Sequence, residues 1–142
     1  TARGGHVAHA PHARRVLFAH HPQERHLFGL SMVAEFFRRD GWDVVPDSAD
    51  TAATAAQRVA REWVDLAGFT LGSSAHEVWL RETIAAVREA SRNLKIVVIV
   101  GGPPFQADPG LTQRVGADAM AEDAQQAPVL AERLIAGRHA AR

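Results

Sequence analysis

Short apolar runs alternate with stretches of helical period along most of this chain. Val16 to Ala19 is an apolar run after two arginines, the pattern of a buried strand. His20 to Arg25 is a polar loop with a proline. A helix is predicted over Leu27–Arg39: Leu30, Val33, Phe36 and Phe37 share one face, and Gly41 stops it. Trp42 to Val45 reads as a second strand. Asp50 caps a helix whose inward face is Ala52, Ala56, Val59, Ala60 and Trp63. Asp65 to Leu71 is a third strand. Ser74 and Glu77 form a capping box for a helix reaching about Arg92, with Leu80, Ile84 and Val87 inward. Ile96 to Val100 is the strongest strand signal, continuous and β-branched, as in a parallel sheet covered on both faces. Gly101 to Gly110 is a loop rich in glycine and proline. Leu111 to Val115 makes a short helical turn, and Ala117 to Ala121 a fifth strand. Asp123 caps a last helix, with Pro128 early and Leu130, Leu134 and Ile135 packing.

Strands that alternate with helices imply βαβ units and right-handed crossovers. The expected fold is α/β: a flavodoxin-like (Rossmann-like), doubly wound, five-stranded parallel sheet of order 2-1-3-4-5. Residues 1–13 read as a linker or flexible lead-in, and 14–142 as a single domain. Ligands on such sheets bind beyond the carboxyl ends of the strands. Here those ends are His20–Arg25, Leu71–Ser74 and Gly101–Phe105.

Composition narrows the chemistry. A length of 142 residues fits one domain, and 46% hydrophobic with 23% charged residues excludes global disorder. There is no cysteine, which excludes a disulfide scaffold, a thiolate-ligated metal and a thiol nucleophile. A formal net charge of zero argues against a general nucleic-acid clamp. Eight histidines make that charge soft near neutral pH. The chain begins with Thr1, which reads as a segment of a longer protein. Its start has no apolar region of the secretory type, and no apolar run is long enough to span a membrane. A cytoplasmic location is expected.

Several tenants of this fold are excluded at the strand ends. A phospho-receiver needs an acidic pair after the first strand and an aspartate after the third; this chain has His20-His21 and Thr70-Leu71. A dinucleotide site needs G-x-G-x-x-G after the first strand, and only Gly29 is there. A flavodoxin phosphate loop is missing, and Lys95 is the only lysine, so no Walker lysine exists. What remains is Glu24-Arg25-His26-Leu27-Phe28-Gly29. A histidine at a helix start, with a carboxylate two residues before it, presents one ring nitrogen outward while the carboxylate bonds the other. Gly29 lets something bulky lie against the backbone. From the residues alone, His26 is either a metal ligand or a capping, partly buried structural histidine.

This stretch resembles the cobalamin-binding domain family, whose motif is D-x-H-x-x-G, then S-x-L, then G-G after the fourth strand. The resemblance spans Val16 to about Ile135. It implies that His26 is the axial metal ligand, Gly29 the helix glycine and Gly101-Gly102 the glycine pair. Glu24 stands where the motif has Asp, and would support His26. Gly68-Phe69-Thr70, or Thr70-Leu71-Gly72, stands in place of S-x-L, making Thr70 the cofactor-facing residue and Phe69 a filler of the tail pocket. Such departures are similar to a variant of the family, the "sensor containing heme instead of cobalamin" (SCHIC) domain of AppA/PpaA-type photosynthesis antirepressors. That likeness implies heme or cobalamin as cofactor, with neither retained as the remaining case. It also implies a PpsR-type transcriptional repressor and other domains of the same chain as partners, without nucleic-acid or membrane binding and without catalysis. The alternatives are a cobalamin carrier domain of a methyltransferase or mutase, and a pigment-free interaction module.

The other candidates have plainer readings beside the sharp ones. His20 and His21 are rim histidines or a second heme ligand. His76 lies near the site, and Ser73 and Ser74 are caps first. Asp118 and Glu122 read as a solvated face, and the three tryptophans as packing. His6, His9 and His12 would chelate a metal only if the lead-in were ordered.

Overall fold

The computed structural model describes residues 13–24, 28–45 and 52–140. The lead-in histidines, the Asp50 cap and His26 lie outside the described residues. The strands are β1 (Arg15–Ala19), β2 (Asp43–Val44), β3 (Leu66–Thr70), β4 (Val97–Gly101) and β5 (Ala119–Met120). The helices are α1 (Phe28–Arg39), α2 (Ala52–Arg61), α3 (Glu77–Ala90), α4 (Pro103–Ala107), α5 (Leu111–Arg114) and α6 (Ala127–Ala140). All pairings are parallel, and the sheet order is β2-β1-β3-β4-β5. This is the expected flavodoxin-like sheet. The order reverses between β1 and β3, which opens a crevice at their carboxyl ends. Among the described residues, no helix is long and apolar enough to cross a membrane.

Period-two alternation divides the core between two faces. Val16, Phe18, Leu66, Val97 and Ile99 pack with Phe37 of α1 and with Ala127, Ala131 and Ile135 of α6. Leu17, Ala19, Ala67, Phe69, Val98 and Val100 pack with α2, α3 and Phe105 of α4. Because β1, β3 and β4 are covered on both faces, they read as unbroken apolar runs.

α1 ends as its glycine predicts. Gly41 has φ +90°, Gly41 N–H donates to the Arg38 carbonyl at 3.0 Å, and Trp42 N–H to Phe37 at 3.0 Å. This is a Schellman stop, and the Trp42 ring packs edge-on against Phe37 at 4.9 Å.

Other boundaries differ from expectation. On α2 the buried residues are Ala55 and Val59, while Ala60 is exposed. An alanine-rich helix has little period of its own, so packing against α3 selects the face. Trp63 is 50% exposed, its indole N–H donating to Asp65 at 3.2 Å. Ser73, not Ser74, is the cap: its hydroxyl accepts from Ala75 N–H at 3.1 Å and opens a single 3-10 turn, Ser74–His76, ahead of α3. The stretch after β4 folds into α4, because Pro103 and Pro104 occupy the first turn, where no backbone N–H is needed. Asp123 caps the turn at 124–126 that leads into α6, not the helix itself, accepting from Gln126 N–H at 2.8 Å.

Asp118 is more than a solvated carboxylate. It accepts the Val98 N–H at 2.8 Å and the Arg88 guanidinium at 3.0 Å, and pairs with Arg138. It thus ties β4 to α3 and α6. Asp118→Ala is expected to lower stability by about 1–3 kcal/mol in a urea titration, because partly buried donors lose a charged acceptor.

Candidate functional site

Three loops meet at the carboxyl edge of the sheet. After β1, the chain turns at His21–Glu24, closed by the Glu24 N–H donating to the His21 carbonyl at 2.9 Å. The turn lays the Glu24 carboxylate over Gly72, so close that a Cβ on Gly72 would fall on it. After β3, Leu71 N–H donates to the Gly101 carbonyl at 3.1 Å, which carries the pairing of β3 and β4 past the strand ends. After β4, Gly102 adopts φ +121° with its α-carbon against the Leu71 carbonyl. Only glycine fits there, since a Cβ would overlap that oxygen.

These loops rim a cavity of about 400 Å³ on the α1 and α6 side of the sheet. Phe18, Gly68 and Ile99, neighbours in register across β1, β3 and β4, form its floor. Leu30 and Val33 of α1 and Ala127 of α6 form its walls. Glu24, Thr70, Glu122 and Asp123 bring the polar groups. A largely apolar cavity with a few polar groups at its mouth is the usual form of a small-molecule site.

Five of the residues singled out in the sequence, Glu24, Gly29, Thr70, Gly101 and Gly102, line this one cavity. Phe69 does not fill it in the way the sequence suggests. Its side chain belongs to the core on the opposite face of the sheet, because residues 68 and 69 of a strand point to opposite sides. The aromatic ring that enters the floor is Phe18, which leans over Gly68; a Cβ on Gly68 would meet the ring at 2.7 Å. The alternation of Val16 and Phe18 against Leu17 and Ala19 was the signal for this in the sequence. The apolar face of Leu30 and Val33 was the signal for the α1 wall, whereas nothing along the chain shows that the Glu24 carboxylate lies over Gly72.

The histidines separate. His20 is buried, its Nδ1–H donating to the His21 carbonyl at 2.9 Å. His21 and His76 stack on one another beside Trp79. Further round the edge, Arg114 bonds both Glu77 at 3.1 Å and Asp108 at 2.7 Å, joining the start of α3 to the loop after α4. The Arg114 bond, followed by the Gly110 N–H, holds the Asp108 carboxyl below its ordinary pKa. Among the described residues, no group of three or more His, Asp or Glu side chains converges on a metal position.

The chain is 20% identical to a cobalamin-binding protein from Desulfitobacterium hafniense DCB-2, with a TM-score of 0.74 over 87% of this chain and 60% of that one. It is 18% identical to the monomethylamine corrinoid protein of Methanosarcina barkeri, with a TM-score of 0.73 over 84% of this chain and 57% of that one. It therefore spans about three fifths of the length of these two proteins. The receiver domain of a Pseudomonas aeruginosa PAO1 sensor kinase, PA1611, shares the fold at 11% identity and a TM-score of 0.67, covering 87% of this chain and 98% of that one. No curated protein matches in sequence. The family model of the B12 binding domain matches residues 14–130. With that match over most of its length, and with the glycine-rimmed cavity in place, the chain belongs to the B12-binding domain family.

Proposed function

We propose that this chain is a binding module for a cobalamin-type corrinoid, with the ligand's nucleotide tail lodged in the cavity beneath the loops. The carrying observation is the cavity itself, about 400 Å³, floored by Phe18, Gly68 and Ile99. Its lining suits a flat, largely apolar group: the Phe18 ring, Ile99, Leu30 and Val33 face it beside the backbone of Gly68 and Gly101. The bound cobalt would supply the reactive centre. The protein's part is to hold the tail, with Gly101 and Gly102 as backbone walls, and with Thr70 and Glu24 as hydrogen-bonding groups at the mouth. His26 would face the metal as the family motif implies. The reading is binding and carriage within a larger protein, in the cytoplasm, rather than catalysis by this domain alone.

A second reading is tetrapyrrole sensing of the SCHIC, AppA/PpaA kind, with heme as the pigment and a PpsR-type repressor as partner. It is favoured by Gly68-Phe69-Thr70 standing in place of S-x-L.

Titration with hydroxocobalamin and with hemin, followed by absorbance, tests both. Hydroxocobalamin is expected to bind wild type. Gly68→Leu, which fills the floor, is expected to weaken it at least about tenfold, or roughly 1.4 kcal/mol. His26→Ala is expected to change the spectrum of the bound cobalt. Failure of wild type to bind hydroxocobalamin, or equal binding by Gly68→Leu, overturns the carrier reading. Binding of hemin instead, lost in His26→Ala, supports the sensor.

A further inference from the structure

On the α3 side of the carboxyl edge, away from the cavity floor, the loop after β1 is held by an imidazole pair. The His21 and His76 rings lie face to face, with centroids 3.7 Å apart and planes 3° from parallel. Trp79 meets His21 edge-on at 5.1 Å. His21 Nδ1 accepts the Gln23 N–H at 3.0 Å. The turn is therefore built around a neutral His21 whose proton sits on Nε2. A second proton, on Nδ1, would set donor against donor and break the turn's hydrogen bond.

We propose that the His21–His76 stack is an acid-released latch on the loop that rims the cavity. With His21 neutral it holds the β1 loop against the start of α3; when His21 takes up a second proton the loop lets go. Glu24, three residues beyond His21, moves with the loop and so leaves Gly72 at the rim. The latch is built to be weak, because His76 Nδ1 is buried with no hydrogen-bond partner among the described residues. The proposal stands on the apoprotein and does not depend on which ligand the cavity takes.

The groups facing the pair set its direction. Burial lowers the His21 pKa first, and His76 lowers it further; Glu24 opposes them and His20 adds to them. On the α3 side, the residue after His76 is Glu77, which is already engaged by Arg114. Because the closed-state pKa is depressed, the closed loop binds fewer protons than the open one. The latch is complete above the free imidazole value of about 6.5 and is lost as pH falls through the lower, closed-state value.

Nuclear magnetic resonance of the apoprotein tests this. At about pH 8, cross-relaxation between the His21, His76 and Trp79 rings is expected to be strong, with His21 as its Nε2–H tautomer. By about pH 5 these cross peaks are expected to fall about tenfold, together with shifts of the Gln23 and Glu24 amides. His21→Asn retains an oxygen acceptor for Gln23 N–H and does not titrate, so its loop amides are expected to stay constant over that range. His76→Phe keeps a ring face without a charge and is expected to raise the His21 midpoint. Ring contacts that persist unchanged at low pH, amide shifts in His21→Asn equal to wild type, or an unmoved His21 midpoint in His76→Phe would each overturn the latch.

Discussion

Gly102→Ala is expected to destabilise the domain by roughly 3 kcal/mol, whereas Gly101→Ala stays within about 0.5 kcal/mol of wild type. The two residues are adjacent and identical in the sequence, but their backbones differ. Gly102 sits at φ +121° and ψ 161°, a region open essentially to glycine alone. A Cβ there would also overlap the Leu71 carbonyl, which is backbone and cannot swing aside. At Gly101 the added methyl would rest 3.7 Å from the Ala121 carbonyl, an ordinary contact. Urea unfolding of both variants measures the difference. Equal loss at both positions would show that the loop does not keep this conformation. If the cavity is the cobalamin site, Gly102→Ala also loses the ligand, since relief of the overlap must push apart the loops after β3 and β4.

Phe37→Ala is expected to cost about 3–5 kcal/mol and to leave the domain marginal or unfolded at 37 °C. Phe37 is fully buried. It meets Phe18 edge-to-face at 5.4 Å and Trp42 at 4.9 Å, so one ring joins α1, β1 and the Schellman stop. Its loss removes buried apolar area and two aromatic contacts, and leaves a cavity that the rigid sheet below cannot close. Phe36 is the control: it shares the predicted apolar face but is only partly buried, so Phe36→Ala is expected to cost about 1 kcal/mol. Calorimetry or urea unfolding distinguishes them, and comparable losses would contradict the packing.

Much of the architecture was legible along the chain. The apolar runs of β1, β3 and β4 are continuous because both faces of those strands are covered, and such runs announce themselves. Gly41 announced the end of α1, and Asp123 the turn that leads into α6. The buried face of α2 is not legible in the sequence, because alanines at 52, 53, 55, 56 and 60 give no strong period and only contact with α3 chooses among them. α4 is hidden by Pro103 and Pro104, which suggest a break although the first turn of a helix accepts them.

The candidate site was legible as positions and not as a shape. Glu24, Gly29, Thr70, Gly101 and Gly102 could be picked from three distant segments, because the βαβ order places every strand's carboxyl end on one edge. Which side chain enters the floor was another matter. Phe69 was the aromatic residue beside the motif, yet a strand reverses its side chains at each step, and Phe18 from a neighbouring strand takes the space over Gly68.

Local pattern thus determined the class of fold and the segments that form the rim, because helix and strand periods and turn residues act over a few neighbours. Tertiary structure alone decided that Gly102 differs from Gly101, that Phe18 rather than Phe69 shapes the cavity, and that His21 stacks on His76. Each of these depends on groups far apart in the chain meeting within a few ångströms, and contact at that range is set by packing, which no stretch of the sequence contains by itself.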